Sequence, residues 1–384
     1  MRIGLMLRHV GKQAGGIGTY TNEIVRHLLK ADSENEYILF YREKEQAGSF
    51  GIHPNVREVA LRAPSKMIWD QVVVPFGAKR ERCDVLFNLK LSVPFLSPCK
   101  TAFVVHGADW FMFPQNYPLL HRIYHRFFMM LYIKRADAVV SISNNATALL
   151  LKAGLVSEKK VATIHHGVNG RFLAEPPADQ LARVRQRYKL RDPFILFVGQ
   201  IYPMKNLSAM IRAFAQLRGR LPHKLVVVGK PLLRYQKEFE LVEKLGLSSD
   251  IIFTGWIPDE DLPAFYRLAD LFLFPSLYEG FGIPLLEAMA SGCPIVTSNA
   301  GACPEVVGDA ALIVDPGDDL AIAEAVYRLA TDGALRSDLR QKGLERVQGF
   351  SWALAAQRTL AFLMNTTGIH GSFTIGLFAI CRCF

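Results

Sequence analysis

The chain has 384 residues, half of them hydrophobic and 21% charged, with a formal net charge of +10. It is too long for one typical core, too apolar for a disordered chain, and has no run of ~20 apolar residues that would span a bilayer. Two globular domains of ~150–200 residues each are expected. Residues 1–175 carry 23 Lys and Arg against 14 Asp and Glu, a net +9, while the remainder carries 22 against 21. A basic first half suits nucleic acid, an anionic membrane surface or a phosphorylated substrate. No aromatic-glycine RNA motif, zinc-ligand spacing or DNA-binding motif accompanies it, so no nucleic-acid partner is expected.

In chain order, the apolar start Met1–Leu7 is interrupted by Arg8 and followed by no small-residue cleavage site. It reads as a first strand, not a signal peptide. The turn Gly15-Gly16-Ile17-Gly18 leads into a helical pattern over Tyr20–Leu29. Glycines there let a backbone approach phosphate or sugar, although a simple tight turn reads equally well. The spacing departs from the G-x-G-x-x-G fingerprint, so a nicotinamide cofactor is not expected. Apolar runs follow at Tyr37–Tyr41, Cys83–Asn88, Thr101–Gly107, Ala136–Ser143 and Val161–Val168. Such near-continuous runs suit strands buried on both faces, and their alternation with helices predicts a parallel, doubly wound sheet.

His106 stands at the carboxyl end of one run, where a polar side chain points into a cleft; a structural hydrogen bond is the plainer use. His121–Arg135 reads as a basic amphipathic helix, with Arg122, Arg126 and Lys134 on one side and Ile123, Phe127, Met130 and Leu131 on another. It can lie on an anionic leaflet or simply pack half-buried on the sheet, and the second reading is slightly favoured.

The pattern restarts after a Pro-rich, charged stretch, with apolar runs at Phe194–Gln200, Lys224–Lys230, Asp250–Trp256, Asp270–Pro275, Pro294–Asn299 and Ala311–Pro316. Two doubly wound domains make an interdomain cleft the default site. Lys205 follows the first of these runs, where it can neutralise a diphosphate leaving group or cap a helix start from the surface together with Asn206. After Pro275 comes Tyr278-Glu279-Gly280-Phe281-Gly282-Ile283-Pro284-Leu285-Leu286-Glu287. Pro284 fits a first helical turn, and Ser291-Gly292 fits the helix end. The free amides of such a helix start favour phosphate. Glu279 before the helix and Glu287 along it can reach different parts of one ligand, which together describes a sugar nucleotide. Glu305 follows Pro304 at another helix start, where capping is as good an account. Phe350–Leu363 reads as an amphipathic helix capped by Ser351. Six cysteines show no disulfide-framework spacing, and Cys381 and Cys383 are too close for a zinc knuckle, so reduced thiols and a cytoplasmic setting are expected.

The glutamate pair seven residues apart, with the segments "GGIGTYTNEI", "VVHGADWFMFPQNYP", "HHGVNGRF", "VGQIYPMKNL" and "GACPEVVGDAALIVDP" in order, resembles the family 4 retaining glycosyltransferases over roughly residues 1–364. The resemblance implies the GT-B fold, two Rossmann-like α/β domains facing across a cleft. It implies domains at 1–172 and 193–350, a linker at 173–192, and a terminal helix 351–364 returning to the first domain. Residues 365–384 form a tail unlike the family.

The resemblance further implies that Glu279 contacts donor-sugar hydroxyls, Glu287 the ribose and His106 the sugar. Gly16 would lie beside donor phosphate and acceptor, and Glu305 near the donor base or phosphate. Gly199, Gln200, Asn206, Gly280, Phe281, Gly282 and Ile283 complete the donor-binding set, with Lys205 as the cation. Gln200 stands where the family usually has arginine, and Met204 where relatives carry a second cation.

The activity so implied is retaining, metal-independent transfer of a hexose, with a lean toward mannose. The donor would be a nucleoside diphosphate sugar and the acceptor a hydroxyl on a glycan or lipid-linked partner, in cell-surface polysaccharide or glycolipid synthesis. No cofactor or metal is expected beyond the donor co-substrate. The place of action would be cytoplasmic, including a peripheral position at the inner face of the membrane. Two alternatives stay open: a nucleotide-sugar epimerase of the same fold, and an inactive donor-binding partner of a glycosylation complex.

Overall fold

The computed structural model describes residues 1–8, 10, 15–90, 92–107, 109–116, 119–232 and 235–368. The expected α/β architecture is present twice. The first lobe holds β1 (Arg2–Leu7), β2 (Glu36–Tyr41), β3 (Val56–Ala60), β4 (Val85–Asn88), β5 (Lys100–Val105), β6 (Ala138–Ser141) and β7 (Val161–Thr163). The second holds β8 (Phe194–Val198), β9 (Lys224–Val228), β10 (Ile251–Gly255), β11 (Leu271–Phe274), β12 (Ile295–Ser298) and β13 (Ala311–Val314). The sheet orders are β3-β2-β1-β4-β5-β6-β7 and β10-β9-β8-β11-β12-β13. The ladders are parallel, and both sheets step outward from a central first strand and then reverse. That reversal places a crevice at the carboxyl ends of β1 and β4 in one lobe and β8 and β11 in the other.

The central strands are buried almost throughout, with only Val198 at the end of β8 partly open, because helices cover both faces of each sheet. β3 has no strong apolar run: three of its five residues are exposed, as suits an edge strand. The stretch Lys66–Arg80 forms two short helices joined by a π-turn at Trp69–Val73, a feature the sequence reading leaves blank.

The last helix, Trp352–Thr367, is capped by the Ser351 side chain, which accepts from the Leu354 amide at 3.4 Å. It leaves the second lobe and packs on the first, against the helix Gly15–Ala31 and strands β5 and β6. Trp352, Ala355, Ala356, Thr359 and Leu363 are its buried face. The tail from residue 365 continues this helix to Thr367, and 369–384, with Cys381 and Cys383, lie outside the described residues. The four described cysteines are free. No helix among the described residues is long and apolar enough to cross a membrane.

Candidate active site in the cleft between the lobes

The second-lobe side is built by the turn after β11. Residues Ser276–Gly282 lead into the helix Ile283–Ala290, which has Pro284 in its first turn, Gly282 at φ +101° as its cap and Ser291 at its end. Glu279 sits in this turn. Its Oε1 accepts from Lys205 Nζ at 2.6 Å, and both side chains are close to nine-tenths buried. Lys205 lies at the end of the short turn Pro203–Lys205 after β8, its ammonium 4.7 Å from the centre of the Phe274 ring. The cation is therefore not on the surface. It stands under an aromatic face with an acid as its partner.

Glu287 faces the cleft one helical turn further on. Tyr266 donates to its Oε2 at 2.9 Å. Burial pushes this carboxyl up to about 7, against the pull of that bond and of Arg171. Near neutral pH it is thus a group on the edge of ionisation, able to donate or accept.

Opposite stands His106, just past β5. Its Nε2 lies 2.7 Å from the Leu89 carbonyl oxygen. Burial pushes the ring down to about 4, so it is neutral and Nε2 must carry the proton given to Leu89. Nδ1 is then an acceptor for a hydroxyl. The two lobes touch at this point. A side chain at Gly280 would place its Cβ 2.2 Å from the His106 carbonyl oxygen, so only glycine lets the Glu279 turn close on the first lobe. Gly15 and Gln200 face each other in the same way, 3.7 Å from a built Cβ at Gly15 to Gln200 Nε2.

A cavity of about 970 Å³ opens between the lobes. Gly15, Gly199, Gln200, Lys230, Ile283 and Glu287 are among its walls. Lys205, Glu279 and His106 are not, although the Lys205 stem passes 3.6 Å from a built Cβ at Gly199. The cavity therefore gathers the Glu287 end of the site, with the Lys205–Glu279–His106 group beside it. Lys230 at the carboxyl end of β9 and Trp256 after β10 belong to this surface, with Tyr266 buried behind Glu287, and none of the three was singled out from sequence. Lys230 could have been found as a cation just past a strand end.

Several other candidate residues have different surroundings. Gly16 is exposed with nothing near it, and its neighbour Gly15 lines the cavity instead. Asn206 is the αL cap before the helix Leu207–Leu217, but its side chain makes no cap bond. Its amide donates to the carbonyls of Pro275 at 3.0 Å and Pro316 at 2.7 Å, tying loops together. Phe281 is 2% exposed and packs on His166, His165 and Phe350, so its ring is interlobe core. Met204 is likewise buried, packed with Tyr278 in a small apolar cluster.

Glu305 reaches across the cleft. Its oxygens accept from the amides of Asn144 at 2.7 Å and Asn145 at 3.0 Å, and from His165 at 2.7 Å. Burial raises this carboxyl, but those bonds outweigh it and hold the group below its usual range. Glu305 so caps a helix start, as the sequence allowed, but one belonging to the other lobe.

The helix Leu119–Arg135 buries Met129, Tyr132 and Ile133 and exposes Leu119, Ile123 and Phe127, a stripe at successive i, i+4 positions. Phe111 and Met112 are exposed nearby in sequence. Met130 and Leu131 are half-buried instead of joining that stripe. Arg122 is half-buried and donates to the Gln115 carbonyl at 3.0 Å, Lys134 is exposed, and the Arg126 side chain lies outside the described residues. Among the described residues no three His, Cys, Asp or Glu side chains are grouped to hold a metal ion.

Two family models match in tandem: "Glycosyltransferase Family 4" over residues 14–171 and "Glycosyl transferases group 1" over residues 179–346. The serotype-specific mannosyltransferase WbdA of Escherichia coli is 34% identical over 267 residues, which is 67% of this chain. The chain spans only about a third, 32%, of that relative's length. The O-antigen chain mannosyltransferase B of Escherichia coli is 28% identical over 363 residues, covering 90% of this chain and 94% of the relative. Among solved structures, Anabaena Alr3699/HepE in complex with UDP-glucose superposes with a TM-score of 0.76 at 18% identity, covering 95% of this chain and all of that one. The two lobes, the tandem family matches and the glutamate-flanked turn make this chain a member of the family 4 glycosyltransferases, with the GT-B fold.

Proposed function

We propose that the protein transfers a hexose, with mannose the first candidate, from a nucleoside diphosphate sugar to an acceptor hydroxyl in cell-surface glycan synthesis. The observation that carries this reading is the convergence of Lys205, Glu279, His106 and Glu287 at the junction of the two carboxyl edges. A diphosphate needs a fixed cation, and Lys205 is one already held in a low-dielectric place. Sugar hydroxyls need acceptors, which Glu279 and His106 Nδ1 supply. A ribose diol suits Glu287, poised between protonated and ionised.

In this reading the reaction is retaining and metal-independent. The leaving diphosphate is stabilised by Lys205 and by the amides that begin the helix Ile283–Ala290. Its own oxygen takes the acceptor proton on the face from which the leaving group departs. The bond broken is that between the anomeric carbon and the diphosphate oxygen, and the acceptor oxygen takes its place on the same face. No carboxylate nucleophile is required, unlike a retaining hydrolase with its paired carboxyls. The relatives named as mannosyltransferases favour mannose, and the protein solved with UDP-glucose favours a nucleotide sugar in the cleft. The exposed apolar stripe beside Lys134 favours a peripheral place on an anionic membrane, where a lipid-linked acceptor is presented.

Calorimetry against a panel of nucleoside diphosphate sugars tests donor binding. Product analysis with donor alone and with donor plus a mannosylated glycan acceptor separates transfer from epimerisation and from binding without turnover. Heat with at least one donor and a new glycoside are the expected results; no heat with any donor removes the reading.

A further inference from the structure

Where the two lobes touch lies a buried cluster of rings that the reaction as described leaves without a task. Tyr20 comes from the helix Gly15–Ala31, His106 from the end of β5 and His166 from the stretch after β7. Trp352 begins the last helix, and Phe281 belongs to the Glu279 turn. Tyr20 is 1% exposed and His166 3%. The Tyr20 ring stands 4.9 Å from the His106 ring and nearly perpendicular to it, at 80°. It also lies 4.9 Å from the His166 ring. His166 in turn stacks on Trp352 at 5.4 Å and packs on Phe281 at 4.7 Å. Ring contacts thus run unbroken from His106 in the first lobe to Phe281 in the second, two residues past Glu279.

Tyr20 and His166 are poor choices for stability alone. The Tyr20 hydroxyl and both ring nitrogens of His166 are buried without a hydrogen-bond partner among the described residues, which costs a fold stability. His166 offsets this with no charge, because burial, with His106 and His165 nearby, holds it well below its ordinary pKa and neutral. A hydrocarbon filling would join the lobes at less cost. What these residues supply instead is stiff, flat faces that pack in one orientation. Both ends of the row need such faces. The His106 ring is held at Nε2 by the Leu89 carbonyl, and one hydrogen bond leaves its plane free to turn. Phe281 stands between Gly280 and Gly282, so its ring is the anchor of an otherwise pliant turn.

We propose that Tyr20 and His166 are positioning residues for sugar transfer: Tyr20 fixes the plane of the His106 imidazole, and His166 fixes the Glu279 turn through Phe281. This rests on the transferase reading, in which His106 and Glu279 hold the sugar from different lobes. Neither Tyr20 nor His166 touches the donor. Each acts through the group it braces, so that two sugar contacts carried by separate lobes keep one spacing.

The first measurement needs no substrate. In the full chain labelled with 15N-histidine and 15N-glycine, NMR reads the ring nitrogens of His106 and the amides of Gly280 and Gly282, with His106→Gln identifying the ring signals. Wild type and Tyr20→Phe, which keeps the ring and drops only the unpaired hydroxyl, are expected to show one sharp Nε2–H species at His106. Tyr20→Leu, or Tyr20→Met should that variant not fold, is expected to show mixed tautomers or broadened His106 signals, with histidines outside the cluster unchanged. His166→Leu should broaden the Gly280 and Gly282 amides, and His166→Phe should keep them sharp. The second measurement is calorimetry with GDP-mannose against GDP and with UDP-glucose against UDP. Tyr20→Leu and His166→Leu should each lose about threefold or more of the affinity that the sugar adds, while the bare nucleotide binds within about twofold of wild type. Should neither sugar nucleotide bind, the transferase reading fails on its own account, and the NMR comparison still decides whether the two rings brace His106 and the turn. A sharp His106 species in Tyr20→Leu together with sharp Gly280 and Gly282 amides in His166→Leu, or equal loss of sugar nucleotide and bare nucleotide, overturns the proposal.

Discussion

At the carboxyl edge of the second lobe Lys205 is matched one to one by Glu279 at 2.6 Å, and Glu287 is held by Tyr266. At the same edge of the first lobe, Arg8 pairs with the buried acid Asp70, and Lys90 lies in the field of both. One strand order thus supports two electrostatic designs. The second lobe is internally balanced, so on the proposed reading an incoming diphosphate would compete with Glu279 for Lys205, and the sugar hydroxyls, as donors, would replace the ammonium at Glu279. Donor binding would then be an exchange of partners inside a nearly dry site. At the first-lobe edge the nearby acid, Asp70, is joined through Ser92 and Asn88 to the loop after β4.

The largest effect that would break this contrast is at the balanced pair. Lys205→Ala and Glu279→Ala should each lower transfer by about 10²- to 10³-fold, the usual cost of removing a preorganised charge partner. Each should also cost about 3 kcal/mol of stability by leaving the other charge unmatched, and the double variant should recover much of that in urea unfolding without recovering activity. Transfer at wild-type rate in both single variants would remove their assigned roles.

Glu287 gives the next effect. Its folded carboxyl is raised from 4.5 to about 7. A raised acid holds its proton longer folded than unfolded, so its contribution is greatest below pH 4.5 and is lost as pH rises through about 7. That is about 3 kcal/mol across the window at ~1.4 per unit. Glu287→Gln should therefore melt with less pH dependence between pH 5 and 8 than the parent, and higher than it at pH 8. Parallel melting curves would mean that the carboxyl is ionised in the fold.

On the first lobe, changing Arg122, Arg126 and Lys134 together to Glu should weaken cosedimentation with anionic liposomes by roughly tenfold. Unchanged cosedimentation would leave the exposed Leu119–Ile123–Phe127 stripe without that role. The smallest effect is at Glu305, where the lobes are tied. Glu305→Ala should cost about 1 kcal/mol and raise the radius of gyration in solution scattering, with nucleotide affinity within twofold. A tenfold loss of nucleotide affinity would instead put Glu305 in contact with the donor.

What could be read from the sequence was what is local. Strands buried on both faces announce themselves by unbroken apolar runs, and the turn from Glu279 to Pro284 carries its own helix start. Partners distant along the chain left no such trace. Glu305 meets Asn144 across 161 residues, and Tyr266 meets Glu287 across 21. Asn206 was read as a helix-start cap and, by resemblance, as part of the donor set, because nothing nearby in sequence shows that Pro275 and Pro316 present carbonyls to it. Phe281 was assigned by position in a motif, while packing between elements put its ring inside. β3 was invisible because an edge strand with one buried residue has too little apolar pattern to read.

The chain passes between the lobes twice, once after β7 and once before Trp352, and the passages meet. The Val168 amide lies 3.3 Å from the Phe350 carbonyl, and a Cβ on Gly167 would fall 2.0 Å from the Trp352 nitrogen. Two connections packed at one spot join the lobes by contact as well as by covalent chain, and any side chain at Gly167 would push the two passages apart.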